Sequence, residues 1–550
     1  MLSRRNWLTK AAALAAGTGL FKTASAGAAE PAPADPENAV GIYNVKAFGA
    51  KGDGKTLDTK AIQTAIDTCN RNKGGTVFFP PGIFVSGTLQ LKSNVTLYLS
   101  AQATLLGTTD GKQYFAAAEI PLHGDSTLVD GNVGLLYAVN AENIGIEGMG
   151  TIDGNGAQFR SPSKGAPSPA GISGAQRPYH ILFYKCTNVQ VNDIFLKDSA
   201  YHSIRMIQSE YLKFSGLRIK GRVIHNNDGF HFISCRYVHV HACDVRTQDD
   251  ACALFGSCQY VTVSDSTFST RWSVFRFGGG FVQNVTITNC TIYETYGCPI
   301  KIYCSRGSRF EDLTFSNLIM KNVTGPIHIG ISERKSSSVT GDNLPAGVLK
   351  RVAFNNIQAT VVTPQPLPDS AFQSAYRSGE LRSCIVLNAF DNNYMEDISF
   401  QDIHITFPGG GTAAEAVAEV PKVAGEYFEI GTPPAYALFA RNVKGLSVNN
   451  LRLKLAAADA RPAVMLDNVE HAVIALLSTQ GRQGSKVLRF RNSADVLVAT
   501  PRVLDTVTAF AAVEGRNTRN IKVEGGDLSK AKSKLQQGAD VPAGAVLLKE

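Results

Sequence analysis

From Asn226 to Asp250 the chain reads N-N-D-G-F-H-F-I-S-C-R-Y-V-H-V-H-A-C-D-V-R-T-Q-D-D. Its centre, V-H-V-H-A-C from Val238, is one copy of a recurring unit: two apolar residues in alternation, a small polar residue, then another apolar run. Towards the N-terminus the unit reads L-K-F-S-G-L from Leu212 and V-Q-V-N-D-I from Val189. Towards the C-terminus it reads V-T-V-S-D-S from Val261, V-T-I-T-N-C from Val285 and L-T-F-S-N-L from Leu313. It continues as V-A-F-N-N-I from Val352, I-S-F-Q-D-I from Ile398 and L-S-V-N-N-L from Leu446. The period is roughly 23–26 residues, stretched where loops intrude.

Asp193, Asn289, Asn317, Asn356, Asp402 and Asn450 fall in one slot of the unit. Asn and Asp tolerate a left-handed backbone, so this slot predicts a corner. The next slot holds Ile194, Leu217, Cys243, Cys290, Leu318, Ile357, Ile403 and Leu451, an inward column. Short strands at this period, with few helices between them, predict an all-β parallel β-helix rather than a barrel or doubly wound sheet. A leucine-rich repeat has a similar period but needs a Leu-rich consensus that these units lack.

Beyond the core repeats, Ala61, Ile62, Ala65 and Ile66 share one helical face, with Asp58 as N-cap. A single amphipathic helix ahead of so many strands predicts a cap for the open end of the solenoid. Ser161–Gly174 reads as a surface loop. The expected organisation is a signal segment at 1–26, a linker at 27–41, a β-helix at 42–530 with an inserted loop at about 408–435, and a tail at 531–550.

The N-terminus carries S-R-R-N-W-L, a short Ala/Gly-rich apolar run and A-S-A at Ala24–Ala26, the pattern of a twin-arginine-type export signal. This predicts a periplasmic or secreted protein. The formal net charge is +8, and four of the basic residues lie in that signal. The remaining surplus is mild and argues against nucleic acid as a partner. No later window is apolar enough to span a bilayer. A monomer is expected, with no cofactor. Ten cysteines occur without any C-x-x-C, which disfavours zinc. Cys186, Cys235 and Cys258 share a column; they read as stacked core thiols, although neighbouring rungs lie within disulfide reach.

Asp228, Asp249–Asp250, Ser273 and Lys301 each precede the next unit by about ten to twelve residues, which predicts one column on consecutive rungs. Such a column cannot be apolar core, because burying several unpaired charges costs too much. Crowded carboxylates raise at least one pKa, leaving an acid beside ionised bases. Glycosidic cleavage needs that pair. Arg271, Arg276, Lys301 and Arg306 surround the column and offer bidentate or point-charge contacts to a uronate carboxylate. His202, His225 and His231 lie close in repeat space. His239 and His241 share a strand face and read as a surface pair. Trp272 and Tyr303 could stack on sugar rings or pack in the core.

At these residues the chain resembles the polygalacturonase family, glycoside hydrolase family 28, within the pectate-lyase-like superfamily. The stretches that carry the resemblance are G-A-K-G-D-G-K-T-L-D-T-K-A-I-Q-T-A-I, N-I-G-I-E-G-M-G-T-I-D-G-N-G, R-P-Y-H-I-L-F, N-N-D-G, Q-D-D-A-C-A-L and P-A-Y-A-L-F-A-R-N-V-K-G-L. The resemblance implies a single-stranded right-handed parallel β-helix. It implies that Asp249 is the general acid and that Asp228 and Asp250 activate water, with inversion. Asn226 matches the first residue of the family's N-T-D motif, and Asn227 stands for its threonine.

Two motifs depart. The family's G-H-G aligns with W-S-V-F-R-F-G, so Ser273 stands where a histidine is expected. The family's R-I-K reads P-I-K, keeping Lys301 and replacing the arginine by Pro299. Arg276 offers a charge in its place. With His225 these residues are the expected substrate contacts, and the substrate is a pectin-type polysaccharide or oligosaccharide, including rhamnogalacturonan-like or chain-end substrates. Two other readings remain open. A lyase would want Ca²⁺ and a base titrating near neutrality. A non-catalytic sugar-binding β-helix would explain the missing histidine but not the crowded carboxylates.

Overall fold

The computed structural model describes residues 41–121, 131–162, 166–335, 343–370, 376–422 and 427–549. The expected signal and linker lie outside these, Gly41 excepted. Each rung contributes three short strands, one to each of three parallel ladders. In the rung of the quoted stretch they are Phe230–Ile233 on the first face, Arg236–His241 on the second and Asp244–Thr247 on the third. Every pairing between named strands is parallel, from Ile42 with Thr76 to Glu524 with Lys549. The chain is a single-stranded right-handed parallel β-helix.

The corner between the second and third faces is where the repeat is strictest. Asp193, Gly216, Ala242, Asp265, Asn289, Asn317, Asn356, Asp402 and Asn450 all have φ between 50° and 65° there. An L-residue in this region costs about 1–2 kcal/mol, and Asn and Asp soften it by bonding locally. Here the amides also bond one another across rungs. Asn317 Nδ2 donates to Asn289 Oδ1 at 3.0 Å, and Asn356 Nδ2 to Asn317 Oδ1 at 2.9 Å. From Phe281–Thr295 to Leu438–Leu455 the second and third faces are one continuous strand bent at this residue.

The predicted inward column is buried throughout. Phe315, Phe354 and Phe400 stack inside it at 5.0 Å between ring centres. Each such side chain contributes about 1.5–3 kcal/mol on burial. All ten cysteines are buried thiols. Burial pushes Cys186 up to about 11 and Cys243 up to about 12, which makes both poor nucleophiles. The column of Cys186, Cys235 and Cys258 holds, with Ser209 between the first two.

The helix Thr59–Arg71 buries Ile62, Ala65, Ile66 and Cys69. It packs on the strands Ile42–Asn44, Gly75–Phe79, Leu89–Gln90 and Val95–Leu99 of the first rungs. Asp58 precedes it, but its side chain does not cap the helix. Its carboxylate accepts instead from the amides of Lys51 and Gly52 at 2.7 and 3.0 Å, pinning the loop before it.

Two boundaries differ from the sequence expectation. Strands Ala531–Gln537 and Val546–Lys549 extend the ladders through the segment read as a tail. Their polar faces hide the repeat, because the last rungs have less core to cover. The loop expected at about 408–435 is present, and it is not loose. It holds a short helix, Ala413–Val417, and a turn of 3₁₀ helix, Tyr427–Ile430. Among the described residues, no helix is long and apolar enough to cross a membrane.

Candidate active site

The quoted stretch begins and ends in turns that join the third face to the first. The turn Arg222–Gly229 is set by Asn227, which is wholly buried. Its Oδ1 accepts from the amides of Val223 and Ile224, and its Nδ2 donates to the carbonyls of Ser199 and Tyr201. Asn226 then takes a left-handed backbone, φ 58°, which turns the chain so that Asp228 enters the first-face strand. Arg177 braces the same turn through the carbonyls of Ala200 and His225 and the Oδ1 of Asn226.

The register gives the true column. Gly229 donates its amide to the Asp250 carbonyl, and Ala251 donates to that of Ser273. Asp228, Asp250 and Ser273 therefore stand one above another. Asp249 lies one residue earlier, beside Asn227. Lys301 is not in this column. It pairs with Arg276, which pairs with Ala253 and His231. Counting residues to the next unit misled, because the connection lengthens rung by rung: Phe230 to Val238, Cys252 to Val261, Phe275 to Val285, Ile300 to Leu313.

Asp228 and Asp250 are buried and Asp249 is half-buried. Desolvation first, then the charges of Asp228 and Asp250, push the Asp249 carboxyl well above the usual range; Arg276 opposes this. Asn226 Nδ2 lies 3.5 Å from Asp249 Oδ2. The hydroxyls of Thr247 and Thr270 both donate to the Asp249 carbonyl, fixing its backbone. Asp250 is paired with Arg276 at 3.0 Å and accepts from the Ser273 amide at 3.3 Å. The arrangement sets a carboxyl whose pKa is pushed up beside a carboxylate paired with a cation, the pairing that acid and base chemistry calls for.

Asp228 sits between two buried histidines. His231 Nδ1 is 3.0 Å from its Oδ2, and His202 Nε2 is 3.6 Å from its Oδ1. The two rings stack at 4.6 Å. Burial and the nearby His231, Arg205 and Arg177 keep His202 neutral. The donor atoms of the three residues lie within 4.8 Å of one another, close enough to hold a divalent cation. The second shell does not suit one: a metal-bound histidine ordinarily donates from its other nitrogen, and His202 Nδ1 is buried with no acceptor.

The remaining expected substrate contacts differ in how they meet the cluster. Ser273 is wholly buried, and it meets the cluster through its amide rather than its hydroxyl. Lys301 is also wholly buried, with Nζ 4.9 Å from the centre of the Trp272 ring. His225 is exposed, and its carbonyl accepts from Arg177, which also binds Asn226. Arg276, partly exposed, reaches the cleft as expected. His239 and His241 lie on the second face, away from the cluster.

Sequence reasoning missed the walls. The segment around 362–381 folds back over the turns: Asp369 pairs with Arg222 and Lys220, and Ser370 Oγ donates to Gln248. Glu380 forms a buried pair with Arg271 at 3.3 Å, and the Arg271 guanidinium stacks on Tyr376 at 4.0 Å. From the second insertion, Phe428 packs on Trp272 and Cys298 and under Arg377. Nothing periodic marks these returns. His202 and His231 carried a signal, since both fall near Asp228 in repeat space: His202 aligns with Asp228 and His231 follows it by three residues.

The chain belongs to the glycosyl hydrolases family 28, whose family model matches residues 69–368. It is 25% identical over 292 residues to a probable polygalacturonase of Vitis vinifera, covering 51% of this chain and 55% of that protein. It is 26% identical over 372 residues to an exo-poly-alpha-D-galacturonosidase of Dickeya chrysanthemi, covering 56% of this chain and 60% of that protein. The chain thus spans somewhat over half the length of these two curated relatives. An exopolygalacturonase structure from Thermotoga maritima superposes with TM-score 0.54 at 19% identity, over 75% of this chain and 91% of that one. A family 28 exopolygalacturonase from Yersinia enterocolitica superposes with TM-score 0.55 at 20% identity, over 78% of each. At these identities the structures speak for the fold.

Proposed function

We propose that the protein is an exported glycoside hydrolase that cleaves a pectin-type, uronate-containing polysaccharide with inversion at the anomeric carbon. The observation that carries the reading is the clustering of Asp249 with Asp228 and Asp250 on adjacent rungs, where desolvation and the two neighbouring charges push the Asp249 carboxyl up. In the proposed step Asp249 gives its proton to the glycosidic oxygen as the bond to the anomeric carbon breaks. A water oxygen bonds to that carbon from the opposite side, and its proton passes to Asp228 or Asp250. His231 supports this by donating from Nδ1 to Asp228, which keeps the carboxylate turned towards the water. Arg276 meets the substrate carboxylate, and Asn226 holds Asp249 in line. Export through a twin-arginine route to the periplasm or outside the cell fits the N-terminal sequence and a polymeric substrate.

The two insertions favour attack at a chain end, since Phe428, Arg377 and the Arg271–Glu380 pair wall the cleft. The relatives named as exo-acting enzymes agree with this reading.

The test is product analysis by mass spectrometry on a panel of pectic polysaccharides, with wild type beside Asp249→Asn. Saturated products made only by the wild type support hydrolysis, and proton NMR of the first anomer formed reads inversion. Unsaturated products would replace this reading by a lyase. Binding without turnover across the panel would replace it by a sugar-binding β-helix.

A further inference from the structure

The third face carries a second feature far along the solenoid. A shallow trough of about 420 Å³ runs across the strands from Ile319 to Leu504. Its floor is two outward rows in register. One runs Gln358, His404, Arg452, Ser478, and the other runs Thr360, Thr406, Lys454, with Lys321 at its head. With rungs about 4.8 Å apart, Lys321 and Lys454 stand roughly 14 Å apart along the axis, about the length of a short extended oligosaccharide.

Its electrostatics differ from those of the same face nearer the N-terminus. There three cations have acidic partners: Lys197 with Asp153 at 2.7 Å, Lys220 with Asp369 at 3.3 Å, Arg246 with Asp244 at 3.8 Å. In the trough, Lys321, Arg452 and Lys454 have no carboxylate partner among the described residues, and no acidic side chain lines it. Arg452 is held in place by Asn450 Oδ1 at 3.0 Å. His404 adds a buried Nε2 without a hydrogen-bond partner. Between the cations lie hydroxyls of Thr360, Thr406 and Ser478, and exposed Ile319 and Leu504 close the ends. A row with Lys321 at one end, Arg452 and Lys454 at the other and hydroxyls between them, bounded by apolar side chains, complements a chain bearing carboxylates along its length.

We propose that this trough is an accessory binding site for a polyuronate chain, separate from the carboxylate cleft on the first-face turns. The ligand class rests on the acidic-polysaccharide reading above. Such a site holds the polymer on the solenoid while the cleft works on an end, so it raises apparent affinity for long chains and leaves short ones unaffected.

The test uses the full chain with Lys321→Ala, Arg452→Ala and Lys454→Ala combined, in wild-type and Asp249→Asn backgrounds. Native gels containing polygalacturonate, dextran or dextran sulfate read binding without turnover. Expected is retardation by polygalacturonate that weakens roughly tenfold in the triple variant, with none in dextran. In the active background kcat/KM on a trigalacturonate stays unchanged while KM on the polymer rises. Equal retardation of the parent and triple variant would overturn the site. So would an equal effect on the trisaccharide, or a dextran sulfate response as strong as that to polygalacturonate. If no pectic substrate is turned over at all, the catalytic reading fails, and the gel comparison still decides the trough.

Discussion

His231 Nδ1 lies 3.0 Å from Asp228 Oδ2, and the carboxylate is flanked on its other side by His202. A carboxylate accepts only, so this contact requires the proton on Nδ1. His231→Ala should lower kcat roughly 10- to 100-fold by letting Asp228 turn. His231→Asn, which keeps a donor, should recover part of the loss. Steady-state kinetics on the best substrate check this; a change in KM alone would contradict a positioning role.

In the proposed mechanism Asp249, as the acid with a raised pKa, sets the alkaline limit of activity. As pH rises through its raised pKa the proton is lost, and the rate falls. Arg276 holds that pKa down against desolvation and the two neighbouring aspartates. Arg276→Gln should therefore move the alkaline limb of the kcat profile to higher pH. A shift to lower pH would show that Asp249 is not the acid.

Asn227 joins two amides and two carbonyls in one buried side chain. Asn227→Ala leaves these groups without partners and should cost about 2–4 kcal/mol. Urea unfolding of the variant reads this directly. Activity should fall with it, because the turn carries Asp228.

The buried Arg271–Glu380 pair fastens the wall segment to the solenoid. Arg271→Met alone strands a buried carboxylate and should destabilise by about 3–5 kcal/mol, while Arg271→Met with Glu380→Met recovers most of it. If the wall enforces attack at chain ends, the double variant should release longer oligosaccharides from a polymer. An unchanged product ladder would remove that role from the wall.

The strand pattern and the left-handed corner were legible because each repeats with a fixed offset. Asn289, Asn317 and Asn356 announced their backbone conformation by residue type alone. The carboxylate cluster was legible as a group but not in detail. Asp250, rather than Asp249, is the register partner of Asp228, and Lys301 belongs with Arg276, because the connection from the first face to the second changes length between rungs. Ser273 and Lys301 were read as substrate contacts from the family motifs they align with, which carry no information on burial. Both are buried against the cluster and Trp272. The walls were illegible, since Glu380 and Phe428 reach the site by irregular paths that leave no period. Asp58 occupies an N-cap position yet serves the preceding loop, a choice decided by tertiary contacts.

From Asp193 to Asn450 a single left-handed residue separates the second face from the third in every rung, whereas the other two connections absorb the insertions. Inheritance can therefore act on the two properties separately. Lengthening a connection reshapes what the cleft admits without disturbing strand register, and copying a whole rung lengthens the molecule without reshaping the cleft. A lineage built on this plan can diversify its diet by editing loops while the scaffold passes unchanged from one descendant to the next.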